Sequence, residues 1–181
     1  MRRIASLILT LAAVLSLLGC GEEGVRFTHC EMTLNLPDTF FEVASGEYFV
    51  IENCDGEQIA FSAEGAIGTD LSVCNGLVAI TLLRLSHEAA AGEGVPPMLT
   101  QLDFARFYLT LIEREAEIKL HSGVPYFTYE SIGSGGESFT FLLSFFQTPH
   151  AYFVLSFITT TDNFEALLPD VLTYIGCVSF S

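Results

Sequence analysis

The sequence predicts an α+β fold in which one antiparallel β-sheet is covered by helices on both faces, a three-layer α/β/α sandwich. Three observations carry that expectation. First, two strand-like apolar runs, Phe139 to Phe146 and Tyr152 to Ile158, are separated by Gln147-Thr148-Pro149-His150-Ala151. Proline within the gap forces a break, so the two runs form a hairpin and not one long helix. Second, both faces of each run are apolar. Phe139, Phe141, Leu143 and Phe145 alternate with Leu142 and Phe146, and Phe153, Leu155 and Phe157 alternate with Val154 and Ile158. A strand with water on one side would show polar residues throughout that face, so this sheet needs a cover on each side. Third, two stretches carry apolar residues at helical spacing and supply the covers. One holds Leu102, Ala105, Leu109, Ile112 and Ala116; the other holds Phe164, Leu167, Leu168, Val171 and Ile175.

Composition narrows the class. Of 181 residues, 50% are hydrophobic and 12% aromatic, which is a core-forming chain and not a disordered one. With 22 Asp+Glu against 7 Lys+Arg, the formal charge is −15. Phosphate-dominated nucleic-acid binding needs a Lys/Arg surface to displace counterions, so no nucleic-acid partner is expected.

The first twenty residues read as an export address. Met1-Arg2-Arg3 is a short basic start, Ile4 to Leu18 is an uncharged apolar run, and Gly19-Cys20 follows. The run is shorter than the roughly 20 residues a membrane-crossing helix needs, and the pattern is that of a signal peptide. An ordinary cleavage site wants small residues of the A-x-A type, which Leu17 does not satisfy. Leu17-Leu18-Gly19-Cys20 instead resembles the lipobox of bacterial lipoproteins, although Leu18 is a less usual residue before the glycine. That resemblance implies that Cys20 carries fatty-acyl chains such as palmitate and becomes the mature N-terminus. Two or three acyl chains hold a protein firmly where one holds it marginally. Gly21, in place of Asp, implies outer-membrane sorting in a Gram-negative cell. The domain plan is then residues 1–19 as lipoprotein signal peptide, 20–27 as lipidated cysteine and short acidic tether, and 28–181 as a single α+β domain. Losing residues 1–19 removes Arg2 and Arg3 but no acid, which takes the side-chain charge from −15 to −17. A body so acidic stands off anionic headgroups.

With Cys20 assigned to lipid, Cys30, Cys54, Cys74 and Cys177 remain. An even number in an exported chain reads as two disulfides, with three connectivities possible. The expected pairs are Cys54–Cys74, flanking a hairpin-sized piece, and Cys30–Cys177, at opposite ends of the domain. The entropy model assigns these roughly 3 and 5 kcal/mol. A metal site built on His29 and Cys30 is the rival. It lacks a Cys-x-x-Cys pair, and adjacent ligands chelate one ion poorly.

The remaining elements follow in order. Met32 to Leu36 alternates apolar and polar before Pro37-Asp38, which reads as a strand entering a turn. Glu47 to Asn53, Gln58 to Ala63 and Leu77 to Leu85 are further strands, and His87 to Pro97 reads as an exposed loop. Thr100 with Asp103 caps a helix expected to run to about Lys119, its solvated end marked by Glu113, Glu115 and Glu117. Pro125 to Ile132 is a strand closed by Gly133-Ser134-Gly135-Gly136. That glycine run lacks the Lys-Ser/Thr and the following helix of a phosphate loop. Asp162 with Glu165 caps the last helix, in which Pro169 predicts a kink or an early break.

Leu36-Pro37-Asp38-Thr39-Phe40 after a short strand, the central helix, the run Tyr152-Phe153-Val154-Leu155-Ser156-Phe157, Phe164-Glu165 and the closing Cys177-Val178-Ser179-Phe180 together resemble the PsbP-like fold. That group includes the extrinsic photosystem II subunit P and the DcrB-like bacterial lipoproteins. Where relatives often carry Trp after the Pro-Asp turn, this chain has Phe40. The resemblance implies a small interaction scaffold, often of unknown role and generally not an enzyme; separately, no cofactor is expected.

Chemical motifs are sparse. His29, His87, His121 and His150 show no metal spacing, and no Gly-x-Ser-x-Gly elbow is present. Asp55-Gly56-Glu57 lacks a calcium-loop pattern and reads as a turn. Two functions of different classes follow. The first is a lipid-anchored envelope module, non-catalytic, that docks on another envelope protein through an exposed apolar patch. The second is a small-ligand binder or hydrolase with a deep aromatic cavity, for which Tyr108, Tyr126 and Tyr129 are the candidate lining.

Overall fold

A computed structural model describes residues 24–62 and 70–181. The leader, Cys20 and the first part of the tether lie outside the described residues.

The organising element is the expected hairpin. Strand β10 (Ser138–Gln147) pairs with β11 (Ala151–Thr160) in a register running from Phe139↔Thr160 to Gln147↔Tyr152. Every residue of β11 is buried. The hairpin sits near the middle of a seven-stranded sheet ordered β3-β6-β7-β11-β10-β9-β8. The other members are β3 (Phe41–Glu42), β6 (Leu71–Cys74), β7 (Ala79–Ser86), β8 (Lys119–His121) and β9 (Val124–Ile132). All its described pairings are antiparallel.

Each face is covered, but by strands as well as helices. On one face Ile80, Leu82, Leu142, Phe146, Phe153, Leu155 and Phe157 pack beneath α3 (Thr161–Gly176) through Val171 and Ile175. The same core takes Met32, Leu34 and Leu36 from a small sheet ordered β1-β2-β12. Its strands are β1 (Gly24–His29), β2 (Met32–Pro37) and β12 (Val178–Phe180). On the opposite face Phe127, Leu143, Phe145, Tyr152 and Val154 meet Phe104, Ala105 and Tyr108 of α2 (Gln101–Leu111). Phe104 stacks on Tyr152 with ring centroids 4.2 Å apart. Further along that face, Cys74, Ala79, Phe139 and Ile158 pack against Phe49 and Ile51 of a hairpin, β4 (Tyr48–Glu52) and β5 (Gln58–Ser62). The expected α/β/α sandwich is therefore corrected to a mixed α+β arrangement. A helix about 10 Å across covers two or three strands spaced about 4.8 Å apart, so one per face cannot shield seven.

Other boundaries differ for local reasons. His87–Gly92 is a short helix, α1, where an exposed loop was expected. Ser86 Oγ accepts from the Ala89 amide at 3.1 Å, and the alanine run favours helix once it is capped. Helix α2 starts at the expected Thr100 cap, whose hydroxyl accepts from the Asp103 amide at 3.2 Å, but it ends at Leu111. No base occupies its last turn, and Glu113, Glu115 and Glu117 oppose the negative end of its dipole. Helix α3 runs through Pro169 without breaking. Strand β1 begins at Gly24, inside the expected tether, and a Cβ there would collide with the Leu36 carbonyl.

Neither expected disulfide forms, because Cys30, Cys54 and Cys74 are free thiols. Cys74 is buried, and its Sγ donates to the Val50 carbonyl at 3.6 Å. Cys54 is exposed in the turn after β4, where its amide donates to Asp162, away from the buried Cys74 thiol. Cys30 is exposed in the β1–β2 turn at φ 51°, so it is not bridged to Cys177.

The β1–β2 turn is instead fixed by charge. Glu31 accepts from Arg84 Nε at 3.3 Å and from Thr148 Oγ1 at 3.2 Å, tying that turn to β7 and to the β10–β11 turn. Its own backbone amide and the Arg84 and Thr148 donors hold the Glu31 carboxyl below its ordinary value of 4.5, against an opposing push from burial.

Three outcomes follow from these contacts. Phe153→Ala, at a fully buried position, is expected to cost about 3–5 kcal/mol in urea unfolding. Because the Glu31 carboxyl is lowered in the folded state, its contribution is full above pH 4.5 and is lost as pH falls through the folded value. Glu31→Gln should lower stability by about 1 kcal/mol at pH 7 and much less near pH 3, read from unfolding midpoints at both pH values. Thiol labelling of the native protein should modify Cys30 and Cys54 and reach Cys74 only after unfolding, since burial also pushes the Cys74 thiol up.

Candidate functional site

An open cleft of about 800 Å³ lies where the β4–β5 hairpin, the β9–β10 turn and the start of α3 come together. Its first wall is built by a tight turn. Asn53 Oδ1 accepts from the amides of Asp55 at 3.0 Å and Glu57 at 2.9 Å, and Asn53 Nδ2 donates to Glu57 Oε2 at 3.2 Å. Gly56 takes φ +81°, which a side chain would strain. The second wall is the turn from Gly133 to Glu137, where the Gly133 amide donates to the Glu137 carbonyl at 2.7 Å. The Glu137 side chain folds back over Gly135, leaving no room there for a Cβ.

Helix α3 locks the first wall in place. The Cys54 amide donates to Asp162 Oδ2 at 3.3 Å, and Asn163 Nδ2 donates to the Glu52 carbonyl at 2.7 Å. The Cys54 thiol, with help from the Thr160 hydroxyl and the Cys54 amide, holds the Asp162 carboxyl down to about 2. The same carboxylate pushes the Cys54 thiol up. Thr160 occupies the cap position of α3 and is only 3% exposed, yet its hydroxyl makes no capping bond. Its Oγ1 is buried, and the hydroxyl serves the Asp162 carboxylate in place of a cap. Glu57, Glu137 and Asp162 line the cleft, and no Lys or Arg does.

The structure separates one of the three tyrosines expected to share a cavity. Tyr108 and Tyr129 belong to the same core between α2 and one face of the sheet, whereas Tyr126 belongs to the core on the other face. Tyr129 stacks on Phe141 at 4.9 Å, with the Arg114 guanidinium 5.3 Å from its ring centre. The histidines sit at element ends, and no three His, Cys, Asp or Glu side chains among the described residues converge on a metal position. The exposed large apolar residues are spread over several elements, including Met98 before α2, Leu120 on β8, Ile132 on β9, and Tyr48 and Val50 on β4.

Sequence reasoning found the Asn53–Glu57 turn and the α3 start separately. It missed that they meet, and no local signal links residues 108 positions apart.

No protein-family model and no curated protein matches the sequence. Solved structures do match in shape. The solution structure of cyanobacterial PsbP (CyanoP) from Synechocystis sp. PCC 6803 aligns with a TM-score of 0.52 at 15% identity, covering 90% of this chain and 96% of that one. A crystal structure from Bacteroides thetaiotaomicron VPI-5482 gives 0.47 at 16% identity over 88% of this chain, which spans about half (49%) of that protein. LpqN of Mycobacterium tuberculosis, described as involved in cell envelope biogenesis, gives 0.41 at 11% identity over 89% of this chain and 87% of that one. Strand order, two-sided core and this alignment together identify the chain as having a PsbP-like fold.

Proposed function

We propose that this chain is a lipid-anchored, non-catalytic interaction module of the bacterial cell envelope, facing outside the cytosol. The observation that carries the reading is the order of residues 1–20: a basic start, fifteen uncharged and mostly apolar residues, then Gly19-Cys20. Acyl chains on Cys20 supply the membrane affinity, and the acidic body behind them is repelled by anionic headgroups. The PsbP-like fold supports a scaffold role without naming a partner. Among the described residues no helix is long and apolar enough to cross a membrane.

The test is intact-mass analysis of the protein recovered from bacterial membranes. The expected product begins at Cys20 and carries diacylglyceryl mass, while Cys20→Ser stays at precursor mass. A wild-type chain recovered unprocessed and without lipid would overturn the reading.

A further inference from the structure

The seven-stranded sheet ends unevenly on its β8 side. Strand β9 is nine residues long, and β8 pairs only with Val124, Pro125 and Tyr126. Residues 127–132 therefore have β10 on one side and, among the described residues, no strand on the other. The two turns that flank β9 decide which backbone groups face the open side. The Gly133 amide donates to the Glu137 carbonyl at 2.7 Å, and antiparallel bonding alternates along a strand, so Ser131, Tyr129 and Phe127 bond to β10. At the other end Ser122 and Gly123, at φ 51° and 84°, form a two-residue turn whose closing pair is His121 and Val124. That directs Val124 and Tyr126 toward β8, in the same alternation. Thr128, Glu130 and Ile132 thus turn N–H and C=O outward, where no backbone partner meets them among the described residues. The link from α2 to β8 does not fill the gap. Its Ala116 and Ile118 pack on the α2 face, and Arg114 lies over the Tyr129 ring.

Open backbone alone is an ordinary strand edge. Here a hollow flanks it on each face. On the α3 face Thr128, Glu130, Thr140, Phe164 and Glu165 line a groove of about 340 Å³. On the other face Phe61, Phe139, Phe141 and Ile158, with Ser131 of β9, line a pocket of about 280 Å³. A strand added to β9 sends successive side chains to alternate faces, so it meets both hollows at once. Their chemistry selects the strand. Glu130 and Glu165 flank the first, with no Lys or Arg in its lining, and the second is aromatic and aliphatic. The complement is basic on one face and apolar on the other. A second copy of this chain does not supply it. Antiparallel self-pairing centred on Glu130 sets carboxylate against carboxylate, between bodies that each carry a formal charge of −15.

We propose that residues 127–132 of β9 form a docking edge that takes an extended segment of a partner protein as one more strand of the sheet, its residues alternating basic and apolar. This goes beyond lipid anchoring and does not rest on it: binding is read in solution, and a Cys20 found without lipid leaves it standing.

Calorimetric titration of the purified protein with the acetylated, amidated peptide Lys-Val-Lys-Val-Lys-Val tests it. Saturable binding is expected, about tenfold tighter than to the block isomer Lys-Lys-Lys-Val-Val-Val. N-methylation of one alternate set of peptide amides should abolish binding, and the same change in the other set should spare it, because an added strand bonds through one edge. Thr128→Pro removes an outward N–H and no bond to β10, so it should weaken binding about tenfold with little change in the unfolding midpoint. If that variant unfolds, the methylated peptides still decide the matter. Glu130→Gln should weaken binding several-fold and flatten its salt dependence. No saturable binding, equal effects from both methylated sets, or undiminished binding by a folded Thr128→Pro protein would overturn the proposal. So would concentration-dependent dimers that Thr128→Pro abolishes, which would give the edge to a second copy.

Discussion

Burying β11 from end to end sets the terms for everything else in this molecule. Every residue of Ala151–Thr160 is buried, so material must lie on both sides of the sheet centre. Phe153, Leu155 and Phe157 face one way, and Tyr152, Val154 and Ile158 face the other. Apolar burial is worth roughly 25 cal/mol per Å². The chain satisfies the demand with four separate covers: α3 and the small sheet on one face, α2 and the β4–β5 hairpin on the other.

That division of labour also makes the cleft. Because the β4–β5 hairpin and α2 cover different ends of the same face, the hairpin needs its own attachment. It finds one in Asp162 and Asn163, at the point where the chain leaves β11 and turns to the opposite face. The concavity is what remains between a cover and the helix that holds it. Its acidity comes from turn and cap residues, the types that turns and helix starts favour for backbone reasons. Polar character there has a local origin, and its concentration in one place is a product of topology.

The central hairpin was legible because proline and two-faced apolar patterning leave little choice, and Thr100 with Asp103 marked the start of α2 for a similarly local reason. What escaped the sequence was short or distant. Leu71–Cys74 and Phe41–Glu42 are strands of four and two residues, too brief for any periodicity to register. The end of α2 was missed because Ala116 and Ile118 still pack on the core after the helix has stopped, so apolar spacing outlasts the helix. The disulfide pairing failed because spacing along the chain says nothing of which side of a strand a thiol faces, and Cys74 points into the core. The site needed contacts more than a hundred residues apart, which no motif encodes.

The early start of β1 has a mechanical consequence. Gly24 is already paired with Pro37, so only three residues separate Cys20 from the first rung of a sheet. At about 3.5 Å per residue, that leash reaches about 14 Å, comparable to the radius of gyration of about 15 Å for a body this size. Under the proposed acylation of Cys20, so short a leash would keep the body from tumbling freely over a membrane. The edge carrying β1 would then hang close to the lipid, and chain length would fix the range of attitudes offered to neighbours before any contact forms.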